Sequence, residues 1–240
     1  MSILSLKNVE MNFGAIQALT GVSFDINESE TVGLMGDNGA GKSTLLKIIA
    51  GLLPATQGEV LVNGQQVTRP GPDRAFVFQD FALMPWASVI RNVAFGLELR
   101  KVAKSEREDI ARKYIKQVGL DGFENSFPHE LSGGQRQRIG IARAIALKPN
   151  FILADEIVSG LDVSSQAKIL SLLQKLVIDL GLTLAFISHD LSVVRRLSNK
   201  IIVLKDGNLI ESSLTDKLFE APQHSYTKEL LSAIPLPYPM

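Results

Sequence analysis

The sequence lacks cysteine, an excess of charge of either sign and any long run of apolar residues. Without cysteine the chain forms no disulfide and no thiolate metal site, which fits a reducing compartment. Lys plus Arg number 25 and Asp plus Glu number 25, so there is no net positive charge that would favour non-specific binding to nucleic acid. We therefore expect no nucleic-acid partner.

No stretch of about eighteen apolar residues occurs, which predicts that no segment spans a bilayer. The N-terminal residues Met1 to Lys7 do not combine a basic segment with a long apolar run, so no signal peptide is expected. Any connection to a membrane is then expected to go through a partner protein. No internal repeat or low-complexity tract stands out.

The 240 residues present, 45% of them hydrophobic, can bury a substantial core as one domain or as a domain with a subdomain. Strand patterns occur at 3–6, 19–26, 31–35, 59–62, 75–78, 151–154 and 183–187, with a hairpin at 201–204 and 208–211. Helix patterns occur at 43–50, 89–99, 105–118, 135–147 and 163–180, and short helices are expected after 213. Apolar strands alternating with helices predict an α/β fold with a mainly parallel sheet and a helical insertion at about 82–147.

A glycine-rich stretch, Gly36 to Thr44, follows one strand candidate and leads into a helix candidate. It fits the phosphate-binding pattern G-x-x-x-x-G-K-[ST] at every fixed position. Glycines let the backbone form a nest of N–H groups, and the following helix directs its positive end at an anion. Lys42 can reach outer phosphates and the Ser43 hydroxyl can bind Mg²⁺. The pattern predicts a nucleoside triphosphate site.

Two carboxylates, Asp155 and Glu156, follow the apolar strand pattern at 151–154. An acidic residue at the carboxyl end of such a strand can hold Mg²⁺, and its neighbour can orient or deprotonate an attacking water. Adjacent residues at a strand end point in different directions, so the two tasks can be separated. The alternative is that these acids cap the next loop.

A third pattern is Leu131-Ser132-Gly133-Gly134-Gln135, which precedes a helix rich in arginine. Ser132 with Gln135 three residues later forms a capping box, which predicts a helix N-terminus that is also suited to phosphate. On physical grounds alone a capped helix is the simpler interpretation. The whole pentapeptide, however, resembles the signature of ATP-binding-cassette (ABC) ATPase subunits, and that resemblance extends over nearly the entire chain.

Other residues match positions to which this family gives a function. Phe13 matches the aromatic that stacks on adenine, and Gln79 matches the glutamine that reaches Mg²⁺ or the attacking water. Asp155 and Glu156 match the Walker B aspartate and the catalytic glutamate, and His189 matches the switch histidine that contacts the γ-phosphate. Taken singly, Phe13 could be a core side chain, Gln79 a solvated strand end and His189 a neighbour of a helix cap.

The resemblance therefore implies ATP and Mg²⁺ as ligands. The implied catalytic residues are Lys42, Gln79, Glu156 and His189, and the implied metal ligands are Ser43, Gln79 and Asp155. The implied ATP contacts are Phe13, Gly36, Asn38, Gly39, Ala40, Gly41, Lys42, Ser43, Thr44, Ser132, Gly133, Gly134, Gln135 and, in the D-loop, Asp162.

The family's architecture is a P-loop NTPase (RecA-like) fold with an antiparallel β subdomain and an inserted helical subdomain. It implies one ABC ATPase domain over 1–240, with a catalytic core at 1–81 and 150–212. The helical subdomain would be 82–149, which carries the signature, and 213–240 would be a C-terminal helical tail. In this family two such domains face each other head to tail, with ATP between the Walker A loop of one and the signature of the other. We thus expect a homodimer on ATP binding.

The chain departs from the family pattern at a few positions. Ile157 and Val158 replace the usual Pro-Thr after the catalytic glutamate, and Gly160 replaces an alanine, which could loosen the D-loop. Phe13 replaces the commoner tyrosine and keeps the stacking face without the hydroxyl. Since both carboxylates and Asp162 are present, hydrolysis is expected to be retained.

Different parts of the chain resemble different importer branches. Residues 32–51 look like sugar importers, 76–86 like nitrate, sulfonate or taurine importers, and 155–194 with 222–231 like oligopeptide importers. This suggests the hypothesis of a chimera, recombined or engineered. In the family the segment after Gln79 faces the permease, so Met84 and Trp86 are candidate docking residues, with packing of the helical subdomain as the alternative.

The leading expectation is an ATP hydrolase that powers solute import as the cytoplasmic subunit of an ABC transporter, bound to the inner face of the membrane through a permease. One alternative is a soluble ABC ATPase acting on DNA or ribosomes, which usually needs a coiled-coil insertion or two cassettes. Another is an engineered or stand-alone dimerisation module with weak or no transport coupling. The transported solute does not follow from these motifs.

Overall fold

The computed structural model describes residues 2–232. Within them the strands are β1 (Ser2–Phe13), β2 (Ile16–Asn27), β3 (Thr31–Met35), β4 (Gln57–Val62), β5 (Gln65–Gln66), β6 (Arg74–Val77), β7 (Phe151–Asp155), β8 (Thr183–Ile187), β9 (Lys200–Lys205) and β10 (Asn208–Leu214). The helices are α1 (Lys42–Ile49), α2 (Val89–Leu99), α3 (Lys104–Gln117), α4 (Gly133–Ala146), α5 (Val163–Leu180), α6 (Leu191–Leu197), α7 (Thr215–Glu220) and α8 (Ser225–Ser232), with a 3₁₀ turn at Pro128–Glu130. The end of the predicted C-terminal tail, 233–240, lies outside the described residues.

The fold is the predicted mixed α/β type, and the chain divides into two compact units. The first unit comprises the residues up to Pro70 and those from Thr183 onward, and the second is Gly71–Leu182. In the part of the chain that the structure describes, no helix combines the length and apolarity needed to cross a membrane.

An antiparallel sheet with strand order β2-β1-β4-β5 forms one part of the first unit. Leu4 pairs with Ile26 on one side and with Val62 on the other, and all three side chains are buried. The alternation of buried and exposed residues along β2 is what half-buried strands require. Both β1 and β2 are longer than predicted, because they continue to a tight hairpin where Gly14 has a φ of +60°.

A second group of strands in the first unit is mainly parallel. β3 pairs in parallel with β8 and with β9, and β10 is antiparallel to β9. Every residue of β3 and β8 is buried, as the uninterrupted apolar runs predict. Because parallel strands end at the same edge, the segments after β3 and β8 leave the sheet on the same side.

The second unit contains the parallel pair β6 and β7 together with the mutually packed helices α2, α3 and α4, and α5. The bounds of α2 and α5 are those predicted, and Gly181, in the left-handed region, ends α5. α4 begins two residues earlier than predicted, at Gly133, because Ser132 is its N-cap.

Candidate functional site

The loop after β3 is shaped by glycines at positions that exclude other residues. Gly36 has a φ of +142°, and a Cβ there would lie 2.1 Å from the carbonyl oxygen of Leu204. Gly41, the residue before α1, has a φ of +94°, and its Cβ would lie 2.5 Å from the carbonyl oxygen of Ala18. At both positions a side chain would be strained and would also clash, so the spacing of the glycines reflects the shape of the loop.

Lys42 is folded back onto this loop. Its Nζ donates to the carbonyl oxygens of Gly36 and Asp37, each at 2.8 Å, and the residue is only 6% exposed. The ammonium therefore sits at the centre of the loop, among backbone groups. Ser43 and Thr44 follow in the first turn of α1, where backbone N–H groups have no partner within the helix. The arrangement suits an anion.

The structure places His189 in a cleft together with the first residues of the phosphate loop. Asp190, next in the chain, caps α6 by accepting from the N–H of Ser192 at 2.8 Å, and this fixes the turn after β8. A cleft of about 520 Å³ is lined by Gly36, Asp37, Asn38, Ser188, His189, Lys205 and Tyr226, with apolar and acidic side chains around them. His189 and the first residues of the phosphate loop thus line one cleft within the first unit.

Phe13 lies at the end of β1, at the hairpin where it pairs with Ile16. It is 47% exposed, so it is not the core side chain of the plainer interpretation. Among the described residues it does not line the cleft. Its exposed ring leaves a face available for stacking.

In the second unit, Gln79 and the two carboxylates follow neighbouring strands. β6 and β7 are parallel, with Val77 opposite Ala154. Gln79 therefore comes two residues after the end of one strand, and Asp155 is the last residue of the other. Asp155 is 8% exposed whereas Gln79 is exposed. Both side chains are consequently placed at one edge of this strand pair.

Glu156 has a φ of +48°, the left-handed region that glutamate rarely adopts. Its carbonyl oxygen accepts from the N–H of Ser159 at 2.9 Å and closes a turn. This turn begins directly after Asp155, the last residue of β7. Backbone strain of this kind is concentrated at functional positions.

The predicted capping box at the signature is confirmed. The Ser132 hydroxyl accepts from the Gln135 N–H at 3.3 Å, and the Ser132 N–H donates to Oε1 of Gln135 at 2.9 Å. Gly133 and Gly134 allow a close approach, since a Cβ there would lie 3.0 Å from Leu161 and 3.3 Å from Ser165. The signature is therefore packed against the D-loop of the same unit.

Asp162, expected to contact ATP, is the N-cap of α5. Its carboxylate accepts from the Ser165 N–H at 2.9 Å. The hydrogen bonds from Ser165 hold the pKa of the Asp162 carboxyl below its usual value. Gly160 has a φ of +72°, a conformation that glycine adopts without cost and alanine does not. The replacement of alanine by glycine thus suits this turn.

Arginines of α4 hold the segment that follows Gln79, a role that the sequence reasoning missed. Arg143 donates to the carbonyl oxygens of Phe81 at 3.2 Å and Ala82 at 2.6 Å, and Arg136 lies over the Phe81 ring at 5.6 Å. Burial lowers the pKa of Arg143. Phe81 and Ala82 both have positive φ, so these contacts stabilise a strained backbone. The run of arginines after the signature was the only signal in the sequence.

Comparison with known proteins decides the family. The family model described as ABC transporter matches residues 19–159 of this chain. The chain belongs to the ABC transporter family. It contains an ABC-type ATPase domain, and ATP is its nucleotide.

Among ABC relatives, the oligopeptide transport ATP-binding protein OppF of Bacillus subtilis is 44% identical over 255 aligned positions, covering 99% of this chain and 84% of that protein. The oligopeptide transport ATP-binding protein AmiF of Streptococcus pneumoniae is 40% identical, covering 99% of this chain and 83% of that protein. A putative peptide import ATP-binding protein of Brucella ovis is 43% identical, covering 97% and 77%.

Solved ABC structures share the fold. The cassette MJ0796, in a dimeric post-hydrolysis state bound to ADP and Pi, has a TM-score of 0.79 at 37% identity and covers 88% of this chain and 98% of its own. CbiO1 of Clostridium perfringens, part of an ABC transporter complex, has a TM-score of 0.83 at 27% identity and covers 92% of this chain and 91% of its own.

The donors expected for Mg²⁺ are a hydroxyl at Ser43, an amide at Gln79 and a carboxylate at Asp155. All are oxygen ligands, which this hard cation prefers. No cluster of three or more His, Cys, Asp or Glu side chains suited to a metal occurs within residues 2–232. The three expected donors include one carboxylate, and Mg²⁺ usually takes one or two carboxylates and completes its shell with phosphate oxygens and water.

Proposed function

We propose that this chain hydrolyses ATP to drive peptide import as the cytoplasmic ATP-binding subunit of an ABC importer. The observation that carries the ATPase role is the phosphate loop at Gly36 to Thr44, with the Lys42 ammonium at its centre. The peptide substrate class rests on the relatives, which are named for oligopeptide transport and peptide import. The alternative of a stand-alone or engineered dimerisation module has no support among them, and the chimera stays a hypothesis.

In the proposed reaction Lys42 leaves the carbonyl oxygens of Gly36 and Asp37 and binds the outer phosphates of ATP. The remaining loop contacts come from the backbone and from Asn38, Gly39, Ala40, Gly41, Ser43 and Thr44. The N–H groups at the start of α1 stabilise the negative charge of the phosphates. Phe13 stacks on the adenine through its exposed ring.

Hydrolysis requires a water in line with the γ-phosphate. We assign to Glu156 the removal of a proton from this water, whose oxygen bonds to the γ-phosphorus as the bond to the bridging oxygen breaks, giving ADP and phosphate. His189 contacts the γ-phosphate and Gln79 orients the water. Mg²⁺, held by Ser43, Gln79 and Asp155, would neutralise the charge that develops on the phosphate oxygens.

The second wall of the site is assigned to the signature of a second copy, through Ser132, Gly133, Gly134 and Gln135, together with Asp162 of its D-loop. The dimeric state of MJ0796 supports this assignment. Signature and phosphate loop lie in different units of this chain. A head-to-tail homodimer would then hold two complete sites.

We further propose that a permease binds the helical part of the second unit. We keep 82–149 as the helical subdomain, 1–81 and 150–212 as the catalytic core, and the tail from 213. Trp86 supports this docking role because it is 74% exposed. Its loop is fixed by the buried Asn92, which bonds to Met84, Ala87 and Ser88 at 2.8–3.2 Å. The chain would sit on the inner face of the membrane through this contact.

The test is the rate of ATP hydrolysis with Mg²⁺, for the wild type and for Lys42→Ala. We expect the variant to bind ATP at least tenfold more weakly in a fluorescent-ATP titration, because it lacks the ammonium that binds the phosphates. Because Lys42 is buried and donates two hydrogen bonds, its loss should lower the melting temperature by a few degrees, and a cooperative transition would show that the fold is retained. Equal ATP affinity in the two proteins would reject the role of the phosphate loop, and failure of the chain to co-purify with a peptide permease would reject the import role.

A further inference from the structure

The oligopeptide-importer-like segment at 222–231 has no role in the proposed reaction. It contains α8, whose Tyr226 is 5% exposed and lies in the first unit beside the phosphate loop. The Tyr226 hydroxyl oxygen accepts a hydrogen bond from the backbone N–H of Asp37 at 2.9 Å. A side chain almost 190 positions later in the chain thus contacts the second residue of this loop.

Asp37 is the residue on which the internal bonds of the loop converge. Its carbonyl oxygen accepts from Lys42 Nζ at 2.8 Å and from the Ala40 N–H at 3.1 Å. When Lys42 moves to a phosphate, Asp37 loses one of these bonds. The Tyr226 hydroxyl bonds to the N–H of the peptide that joins Gly36 to Asp37, and Lys42 bonds to the carbonyl oxygen of that same peptide. When Lys42 moves away, the bond from Tyr226 remains on this peptide.

Tyr226 is itself firmly positioned. The Lys205 ammonium lies 4.4 Å from the centre of the Tyr226 ring. The backbone N–H of Tyr226 donates to Nδ1 of His224 at 3.1 Å. The Glu211 carboxylate accepts from the N–H groups of Gln223 at 2.9 Å and His224 at 3.0 Å, which fixes the turn before α8. Burial, with a contribution from the Asp37 and Asp206 carboxylates, raises the pKa of Tyr226 to about 12, so the hydroxyl stays protonated at neutral pH.

We propose that Tyr226 is a positioning residue for ATP binding, because its hydroxyl holds the Gly36–Asp37 peptide in place while Lys42 is transferred to the phosphates. The inference rests on the proposed role of the phosphate loop. A preorganised loop loses less freedom when the nucleotide binds, so this contact strengthens binding. It does not touch the reacting atoms, so the chemical step should be little affected.

The test is Tyr226→Phe, which removes the hydroxyl and keeps the ring beside Lys205. We expect the Kd and KM for ATP to rise about fivefold, the effect of one hydrogen bond, with kcat within about twofold of the wild type. The matched control is Tyr114→Phe, at a buried tyrosine of α3 in the second unit. It should leave Kd, KM and kcat unchanged.

Hydrogen exchange at the Asp37 amide gives a second readout without ATP. In Tyr226→Phe this amide should exchange faster, whereas amides of β1 and β2 should keep their wild-type rates. An unchanged Asp37 exchange rate, or an ATP affinity within about 1.5-fold of the wild type, would overturn the role of Tyr226. Lys42→Ala separates the two claims, because wild-type ATP affinity in that variant rejects the phosphate-loop assignment itself.

Discussion

Glu156 adopts the left-handed backbone region at a cost of about 1 kcal/mol, and the fold maintains it there. The strained residue is the first of a turn, which the Ser159 N–H closes by donating to the Glu156 carbonyl oxygen. A glycine would relieve it, yet the residue present is a carboxylate. This combination favours a chemical role for Glu156 over the alternative that it merely caps a loop.

At the residue scale, Glu156→Gln tests that role. The amide keeps the size of the side chain but accepts no proton, so we expect kcat to fall at least a hundredfold while ATP affinity changes little. ATP should then accumulate unhydrolysed on the protein and favour an ATP-bound dimer, seen by size-exclusion chromatography. The control is Glu124→Gln, which makes the same substitution outside the proposed site. Unchanged turnover in Glu156→Gln would remove Glu156 from the mechanism.

The residue types of the proposed site were predictable from the sequence, whereas their hydrogen bonds were not. The pattern around Lys42 predicts a phosphate ligand, and the ammonium does lie in the loop. Its bonds to Gly36 and Asp37 were not predicted, because the motif indicates which residue types bind a phosphate and not which backbone atoms the ammonium contacts. Tyr226 is a similar case, since nothing near Asp37 in the chain indicates a partner from α8.

At the scale of elements, the position of α8 depends on a carboxylate of another element. Burial alone would raise the pKa of the Glu211 carboxyl, but hydrogen bonds, led by the one from the Gln223 N–H, lower it below its usual value. A carboxyl with a lowered folded-state pKa contributes stability that is present above its unfolded-state pKa of about 4.3. That contribution is lost as the pH falls through the folded-state pKa.

We therefore predict that Glu211→Gln lowers the melting temperature at pH 7 by about 1–2 °C, a small effect because the group is partly exposed and screened. The difference from the wild type should shrink as the pH is lowered from 7 towards 3.5, since the wild-type carboxyl becomes protonated. Differential scanning fluorimetry over this range measures it. A difference that stays constant with pH would contradict the ionic contribution.

Elements with a long periodic pattern were predicted well, and short ones were not. The bounds of α5 follow from an apolar stripe ended by Gly181. The seven-residue α6 was missed, since two turns are too few for a clear period and its start depends on the Asp190 cap. β5 was missed because two glutamines form a strand only through pairing with Leu61 and Val62.

At the scale of the whole molecule, the proposed site is completed by a second copy. We predict that the rate of ATP hydrolysis rises more steeply than in proportion to protein concentration, because half-sites meet in a dimer. A coupled assay over a hundredfold concentration range measures this. A strictly proportional rise would indicate either a preformed dimer or an active monomer, and sedimentation distinguishes the two, the active monomer contradicting the proposal.

A mixing experiment provides the control. Lys42→Ala lacks the phosphate-loop cation, and Ser132→Arg blocks the phosphate end of α4, so each variant alone should be inactive. Mixed together they form some dimers with one intact site, composed of the wild-type phosphate loop of one chain and the wild-type signature of the other. Recovery of part of the activity is expected, and complete inactivity of the mixture would argue against a shared site.

The carbonyl oxygen of Ala18 in β2 has a consequence for protein engineering. It lies 2.5 Å from where a Cβ would sit on Gly41 and 2.8 Å from where one would sit on Gly207. One backbone atom thus sets the clearance for the phosphate loop and for the β9–β10 turn together. A graft that moves only residues 36–44 into another protein would not include the Ala18 carbonyl oxygen. To graft the phosphate loop of this protein, β2 and the β9–β10 turn must be transferred together with it.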